Sequence, residues 1–407
     1  MASTRLGAPY RRLLSAAGLS NFGDGVFQLA LPLLALRLTR SPAAVAGVTL
    51  AARAPWLVLG VVAGAVADRV DRRTMMVRVA VARGALIGAL ATVVALGHEQ
   101  LWMIYAVALL LGVGETLFDT SSQSIMPSIV AAEDLSRANG RLYGVEMITN
   151  QFLGPPAAGV LVGVSVALAF TTSALAFVAA AVALLTISGT FRPERSSPPA
   201  RLRADIAHGL RFLVHHRLLR TLSLMSCISL LSSSAAFALL PVFAVAPGPL
   251  GLSEAGFGIL LTTAALGSVA SSAVVDRVER RLGRQRTLLA AILIDGVTIA
   301  ALATGNLVVA VIVGFSLGFS QVLWQVVVIS LRQRVVPNDL LGRVNGAHRT
   351  LALGGLAAGA AIGGALAEVF GVRPVLVGSG VATLSLLLLL PVVDDRAMDA
   401  AEAAVAS

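Results

Sequence analysis

The chain has 407 residues, of which 57% are hydrophobic and only 13% are charged. A soluble domain carries about 25% charged residues, and a fold this apolar could not cover its surface in water, so the composition excludes an ordinary soluble globular protein. The net charge of +10 comes from 31 basic side chains, all of them arginine. They lie in short segments between apolar stretches, which is typical of membrane topology and argues against a nucleic-acid partner.

The apolar stretches predict an all-α polytopic membrane protein with twelve transmembrane helices in a lipid bilayer. About 20 apolar residues are enough to cross a bilayer as a helix. The first span contains Asp24 and Pro32 and no small-residue cleavage site follows it, so we expect a retained helix rather than a signal peptide. The predicted spans are residues 13–38, 44–67, 75–97, 101–125, 141–164, 167–190, 218–246, 253–275, 287–304, 307–332, 342–367 and 372–393.

The connecting segments alternate between rich and poor in arginine. If the N-terminus is inside, the segments that face out hold only Arg37, Arg40 and Arg373. Because positive charge concentrates on the cytoplasmic side of membrane proteins, both termini are expected in the cytoplasm. The exclusive use of arginine and the abundance of alanine are typical of bacterial genomes of high G+C content, so we expect a multi-pass protein of the bacterial cytoplasmic (inner) membrane.

One long connecting segment divides the chain. We predict an N-terminal six-helix bundle at residues 1–190, a cytoplasmic linker at 191–217 and a C-terminal six-helix bundle at 218–407. Apolar residues recur in the linker at helical spacing, at Leu202, Ile206, Leu210 and Leu213. This spacing predicts an amphipathic helix on the inner membrane face; a plain solvated connector is the alternative.

A short sequence occurs twice. Residues 65–73 read AVADRVDRR and residues 273–281 read AVVDRVERR, at an offset of 208. A second pair, LSRANG at 135–140 and LGRVNG at 341–346, has an offset of 206. Two matches at nearly the same offset predict two six-helix pseudo-repeats of the same topology, an arrangement that places the substrate site of carriers at the repeat interface.

These motifs resemble those of a known transporter family. Residues 64–73 resemble the signature loop G-x-x-x-D-R-x-[GD]-R-[RK] of the major facilitator superfamily, and the copy at Asp276 stands where that family keeps its second copy. Residues 154–159, GPPAAG, resemble the antiporter motif G-P-x-x-G found among its exporters. The resemblance covers residues 10–395. It implies the major facilitator fold and transport of a small-molecule substrate by alternating access, with no enzymatic activity and no cofactor.

The segments around Met126 and residues 333–345 look like the bacterial exporter branch that includes the enterobactin exporter and macrolide efflux proteins. This implies efflux, as in antiporters and multidrug resistance proteins. One departure concerns helix 4, where many proton-coupled drug antiporters carry an arginine before a glycine-rich stretch. Residues 109–114 contain no arginine, which puts that route of proton coupling in doubt.

We predict that the repeated loops form a cytoplasmic gate. A carboxylate at the inner end of a helix can accept hydrogen bonds from a neighbouring helix N-terminus, and the arginines can pair with acids on facing helices. The alternative is that the arginines only set the topology. The predicted gate residues are Gly64, Asp68, Arg69, Asp71, Arg72, Arg73, Asp276, Arg277, Arg280 and Arg281, and the antiporter-like residues are Gly154, Pro155 and Gly159.

Charged side chains inside the predicted spans are functional candidates, because each costs about 2.5–3.5 kcal/mol on insertion scales. Glu115 and Asp119 share a helix face, and two close carboxylates in a low dielectric do not both ionise easily, so one of them can carry a proton. The alternatives are structural pairs, of Asp119 with Arg69 or Arg72 and of Asp24 with Arg53. The charged residues inside the predicted spans are Asp24, Arg53, Arg83, Glu115, Asp119, Glu146 and Asp295. The candidates for proton coupling or a charge relay are Asp24, Arg53, Glu115, Asp119 and Glu146. For Glu146, the alternative is a role in the cytoplasmic gate.

Polar side chains inside the spans predict a substrate cavity. Gln321 and Gln325 lie one turn apart on either side of Trp324, so this helix carries a polar stripe that could hold an aromatic or hydrophobic ligand; interhelical packing is the alternative. The candidates are Asn21, Gln28, Gln123, Asn150, Gln321, Trp324 and Gln325. The single Cys227 excludes an intrachain disulfide and a cysteine cluster, and we predict no metal site.

Together these observations predict a monomeric secondary active transporter. We expect proton-coupled efflux of a hydrophobic or amphipathic small molecule, such as a drug, siderophore or natural product. The alternatives are an uncoupled or uptake carrier of the same fold and a non-transporting membrane receptor or assembly partner.

Overall fold

The computed structural model describes residues 7–67, 70–131, 134–189, 191 and 210–406. The regular structure of these residues is helical. In chain order the helices are α1 (Ala8–Leu38), α2 (Pro42–Ala67), α3 (Arg72–Ala95), α4 (Leu101–Ile125), α5 (Leu135–Met147), α6 (Gly154–Val164), α7 (Val166–Leu185), α8 (Arg217–Phe237), α9 (Leu240–Ala244), α10 (Glu254–Leu282), α11 (Arg284–Leu302), α12 (Leu307–Val335), α13 (Asn338–Phe370), α14 (Val372–Leu384) and α15 (Asp395–Ala406).

Capping residues and glycines set several helix boundaries. Asp71 caps α3, and Asn306 caps α12 by accepting hydrogen bonds from the backbone of Val308 and Val309. Gly283 and Gly371 separate α10 from α11 and α13 from α14, with φ of 81° and 82°. Because a positive φ is costly for residues with a Cβ, glycine allows the chain to reverse there.

Ten of the described helical segments are long and apolar enough to cross a membrane. Two predicted spans are not among them. For the span 44–67, side chains are described only as far as residue 56. The span 141–164 is built from α5, a π-helical turn at Ile148–Leu153 and α6, none of which alone reaches the length of a span.

The chain folds into two units. The first unit comprises Met1–Arg40, Ala51–Ser196 and Leu252–Leu261. The second unit comprises Ser41–Leu50, Ser197–Gly251 and Thr262–Ser407. The first unit therefore includes a short segment from the second half of the sequence, Leu252–Leu261, and the second unit includes one from the first half, Ser41–Leu50. The predicted boundaries at 190 and 218 instead divide the chain into consecutive parts.

The core of the first unit lies at one end of α1, α3, α4 and α7. It contains Tyr10, Met76, Phe118 and Leu184, each no more than 1% exposed. The buried Tyr10 hydroxyl donates a hydrogen bond of 3.0 Å to the Ala138 carbonyl on α5. This bond supplies the partner that a buried hydroxyl needs.

The second unit packs through small residues on α13. A Cβ added to Gly355 or Gly359 would lie 2.4 or 2.1 Å from a backbone carbonyl oxygen of α8, so these helices touch at their backbones. Close approach through small residues is a common way for membrane helices to associate. Of the predicted linker, residues 191 and 210–217 are described, and Leu213 is buried with Leu218 in the apolar core of this unit. The rest of the predicted amphipathic helix lies outside the described residues.

Candidate charge cluster and cavity

Two buried charges of the first unit form an ion pair between α1 and α3. The Arg83 guanidinium donates a hydrogen bond to the Asp24 carboxylate. The side chains are 3% and 8% exposed, and the Phe177 ring of α7 lies 4.1 Å from the guanidinium carbon. The aromatic face adds a favourable cation–π contact.

A second ion pair joins α2 and α4. Arg53 lies 3.6 Å from the Glu115 carboxylate and donates a hydrogen bond of 3.4 Å to Gln28 on α1. Gly112 brings the two helices together, because a Cβ there would lie 2.3 Å from the Ala52 carbonyl oxygen. The predicted alternative that Asp24 pairs with Arg53 is therefore not the arrangement found. Arg83, which was identified as an intramembrane charge but not as a coupling candidate, takes that place.

Asp119 lies one turn beyond Glu115 on α4 and is half-buried. Its electrostatic neighbours include Glu115, Asp24 and Glu146, as well as the cation Arg83. No side chain in the described part of the chain forms an ion pair or hydrogen bond with its carboxylate. The predicted alternative partner Arg72 makes no such contact, and Arg69 lies outside the described residues.

A π-helical turn at Ile148–Leu153 and two prolines at the start of α6 lie where the chain passes α1. Pro155 and Pro156 have no N–H group, so the carbonyls one turn earlier lose their α-helical partners and the turn widens. Asn150, within this turn, donates 3.3 Å to the Asn21 carbonyl oxygen. Gly154 packs directly on Gly25, where a Cβ would lie 2.6 Å from the facing Cα.

The other antiporter-like glycine packs on the first turns of α10. A Cβ at Gly159 would lie 2.5 Å from the Glu254 carbonyl oxygen, and one at Gly258 would lie 2.4 Å from the Pro155 carbonyl oxygen. The Glu254 side chain accepts a hydrogen bond of 3.1 Å from Arg37. The motif thus has a packing role within the first unit.

The first signature loop ties α3 to the end of α7. One Asp71 oxygen accepts from the Thr74 backbone and hydroxyl at 2.8 Å, and the other accepts from the Phe191 backbone at 2.5 Å. Burial acts to raise the Asp71 pKa, but these hydrogen bonds and the charge of Arg73 outweigh it and hold the pKa below its usual value. Arg73 itself donates to the carbonyls of Leu184 and Leu185.

These contacts differ in part from the predicted gate. Arg73 caps the carboxyl end of α7, where the helix dipole is negative, instead of pairing with an acid. Asp68 and Arg69 lie outside the described residues, and nothing is described of Gly64 beyond its place in α2. In the second copy, the exposed side chains of Asp276, Arg277, Arg280 and Arg281 make no hydrogen bond or ion pair with any residue that the structure describes.

Acids of the C-terminal helix hold the start of α11, a feature that the sequence did not suggest. Arg284 pairs with both Asp399 and Glu402, and Glu402 lies 3.6 Å from Arg334 at the end of α12. Asp395 accepts a 3.0 Å hydrogen bond from the Gln285 backbone. The available signal was the spacing of these three acids along α15, about one turn apart.

A cavity of about 490 Å³ lies within the second unit, between α8, α11, α12 and α13. Its wall includes the predicted residues Gln321, Trp324 and Gln325. The four candidates of the first unit are placed differently. Asn21 and Asn150 bond to backbone carbonyls and Gln28 accepts from Arg53, while Gln123 is exposed.

The cavity also contains charged residues that the sequence reasoning did not identify as cavity residues. Asp295 accepts a hydrogen bond from Ser320, and His348 Nδ1 lies 2.9 Å from the Ser223 hydroxyl. Arg332 and Arg349 lie in the same wall. Arg332, His348 and Arg349 lie inside the predicted spans 307–332 and 342–367 but close to their ends. Charges in such places are equally expected for topology determinants, so the sequence alone does not assign them to a cavity.

Comparison with known proteins identifies the family. The family model of transmembrane secretion effectors, of the major facilitator (MFS) type, matches residues 7–407. The uncharacterized MFS-type transporter YfiS of Bacillus subtilis (strain 168) is 27% identical over 387 residues, or 88% of this chain and 87% of that protein. The multidrug efflux pump Tap of Mycolicibacterium fortuitum is 26% identical over 389 residues, or 92% of each protein.

A solved structure extends the likeness to the fold. The nucleoside transporter NupG aligns with 95% of this chain and 100% of its own, with a TM-score of 0.77 and 12% sequence identity. The predicted major facilitator fold and the resemblance to its exporter branch are confirmed, and the family is one of transporters rather than enzymes. The chain belongs to the transmembrane secretion effector family of the major facilitator superfamily.

Proposed function

We propose that this transporter exports hydrophobic or amphipathic small molecules from the bacterial cytoplasm in exchange for protons, with Asp119 as the site that takes up the coupled proton. The relative Tap, which is a multidrug efflux pump, supports the direction and the broad substrate class. The observation that carries the proposal is the half-buried Asp119 carboxylate, which forms no ion pair with any residue that the structure describes, although Arg83 is among its electrostatic neighbours.

The charge cluster contains more carboxylates than guanidiniums. Asp24 pairs with Arg83 and Glu115 pairs with Arg53, so the two guanidiniums are already engaged by two carboxylates. A third carboxylate, Asp119, adds a negative charge on the same side of α4 as Glu115. Protonation of Asp119 removes this surplus charge, which favours proton uptake at a site of low dielectric.

One proton is enough to drive export. A charge that crosses about 100 mV releases about 2.3 kcal/mol, which corresponds to a concentration ratio of about 50. Alternating access then requires that proton uptake and substrate binding favour different states of the carrier. The Arg53–Glu115 pair, longer and more exposed than Asp24–Arg83, is the pair better suited to exchange partners when Asp119 changes charge.

A carrier without proton coupling is the second candidate. It is favoured by residues 109–114 of α4, where the arginine of many proton-coupled drug antiporters is missing. Such a carrier would equilibrate its solute and would not respond to collapse of the proton gradient.

Accumulation assays in an efflux-deficient bacterium separate the candidates. Cells that express the protein are loaded with a cationic, a neutral and an anionic fluorescent dye, with and without a protonophore. We expect these cells to accumulate less of at least one dye than cells without the protein. This difference should disappear with the protonophore and in Asp119→Asn. Asp134→Asn, which removes the same charge from a residue whose side chain caps no helix, should keep wild-type export. Export that persists in the presence of the protonophore would contradict proton coupling.

A further inference from the structure

The cavity of the second unit is elongated along α12. Its α12 wall runs from Leu317 to Arg332, which at about 1.5 Å per residue is about 22 Å. Cavities of about 300–1,000 Å³ hold small molecules, and the volume of about 490 Å³ lies within that range. The space therefore suits a single extended solute.

The two ends of this wall differ in charge. At one end, the Asp295 carboxylate already accepts the hydrogen bond of Ser320. Ser320 precedes Arg332 by twelve residues of α12, or about 18 Å, so Asp295 is too far along the helix to neutralise Arg332. Asp295 is the one acid among the described residues that line the cavity.

The Arg332 guanidinium forms no ion pair with the residues that the structure describes. Its Nε and Nη1 atoms are buried without a hydrogen-bond partner in the described structure. On the facing helix α13, Arg349 adds a second basic side chain to this end. A buried guanidinium without an anion is costly, so this end of the cavity is complementary to an acidic group.

The middle of the cavity combines apolar and uncharged polar side chains. The apolar ones include Trp324 of α12, Phe237 of α8 and Leu353 of α13, and the polar ones are Ser226, Ser229, Ser233, Gln321 and Gln325. Such a surface binds an aromatic or aliphatic body, and its polar groups supply hydrogen bonds but no counter-charge. The acid group would therefore decide how the solute lies.

We propose that this cavity binds an anionic amphipathic small molecule, with its carboxylate, sulfonate or phosphate on Arg332 and its apolar body against Trp324. This assignment rests on the proposed transport function and names its substrate class. Guanidinium groups bind such oxyanions through two parallel hydrogen bonds, which gives both strength and orientation. An anionic lipid headgroup shares this chemistry and is separated by the test below.

The test compares three probes that share one apolar body. Pyrenebutyrate, pyrenebutanol and pyrenebutylamine are titrated onto the full-length protein in phosphatidylcholine nanodiscs, and binding is measured as energy transfer from tryptophan. The signal that disappears in Trp324→Phe reports the cavity. We expect the carboxylate to bind at least about tenfold more tightly than the alcohol or the amine, as for a hydrogen-bonded charge pair.

Variants assign that preference to Arg332. Arg332→Gln should lower the affinity for the carboxylate at least about tenfold and leave that for the alcohol unchanged, whereas Arg332→Lys should keep part of the preference. The matched control is Arg334→Gln on the same helix, because Arg334 faces Glu402 and is absent from the cavity wall. Equal affinities of the three probes in the wild type, or equal losses for all three in Arg332→Gln, would overturn the proposal.

Two further arms separate the ligand source and the transport function. Competition by added phosphatidylglycerol that disappears in Arg332→Gln would identify a lipid headgroup and overturn the assignment to a solute; unchanged affinity supports it. If the protein prefers the carboxylate probe but exports none of the dyes, the anion site is supported and the export function is contradicted. If it exports the cationic and neutral dyes but shows no preference for the carboxylate, the export function is supported and the anion site is contradicted.

Discussion

The two ion pairs of the first unit differ in how completely water is excluded from them. The Asp24–Arg83 side chains are 8% and 3% exposed, whereas Glu115 and Arg53 are 18% and 33% exposed. A buried charge whose partner is lost keeps its full desolvation cost, while a partly solvated one is screened by water. We therefore assign Asp24–Arg83 to holding α1 and α3 together, and Arg53–Glu115 to the moving part of the cluster.

Removal of Arg83 should accordingly destabilise the fold. Arg83→Gln leaves Asp24 buried without a cation, at a cost of about 3–5 kcal/mol. The double variant Asp24→Asn/Arg83→Gln should recover more than half of the loss in thermal unfolding in nanodiscs, because neither group is then charged. Arg53→Gln should cost less than Arg83→Gln. A double variant no more stable than Arg83→Gln would show that packing on Phe177, rather than charge, is what Arg83 provides.

At the scale of helices, backbone contact through glycine positions the charge-bearing elements. α6 contains a matched pair of residues for testing this. A Cβ at Gly154 would lie 2.6 Å from Gly25, whereas a Cβ at Gly163 would meet no atom within 4 Å. Replacing glycine by alanine thus creates a steric clash at one position of α6 and none at the other.

We expect Gly154→Ala to lower the free energy of unfolding by about 1–3 kcal/mol through overpacking. Gly163→Ala should leave it unchanged or raise it slightly, because alanine favours a helix more than glycine does. Thermal unfolding and the yield of folded protein in membranes measure both. Equal behaviour of the two variants would contradict the close contact of α1 with α6.

The cap of α3 predicts a pH dependence. Because the Asp71 pKa is lowered in the folded state, its contribution is fully present above the unfolded pKa of about 3.9 and is lost as the pH falls through the folded value. Asp71→Ala should cost about 0.5–2 kcal/mol at pH 7, as for a helix cap. The difference in melting temperature between wild type and variant should shrink as the pH falls below about 4. A difference that stays constant down to acidic pH would contradict this role.

The sequence alone predicted the helical class and most spans, because long apolar runs and arginine-rich segments reflect the membrane directly. It did not predict which charges would meet. The partner of Asp24 depends on the rotation of α2 and α3 about their own axes, so a pairing with Arg53 was as reasonable as the observed one with Arg83. Likewise the sequence did not indicate that Arg332 and His348 line a cavity, because charges near the ends of predicted spans are equally expected to set the topology.

At the scale of the whole molecule, the two units carry different chemistry. The first holds the carboxylates and guanidiniums of the charge cluster, and the second holds a cavity with a partly apolar middle and a basic end. A carrier that uses one unit for the coupling ion and the other for the solute should separate under mutation into two classes. Changes at Asp119 should affect the driving force, and changes at Arg332 should affect solute preference.

Flux in proteoliposomes tests most directly whether Asp119 carries the coupled proton. The wild type should drive solute uphill when a pH gradient is imposed and should also exchange labelled for unlabelled solute without one. Asp119→Asn should lower the accumulation ratio reached under the gradient by at least about tenfold, a loss of about 1.4 kcal/mol or more in driving force, and keep exchange near the wild-type rate. Loss of both activities, or gradient-driven transport that survives in Asp119→Asn, would contradict the role of Asp119 in coupling.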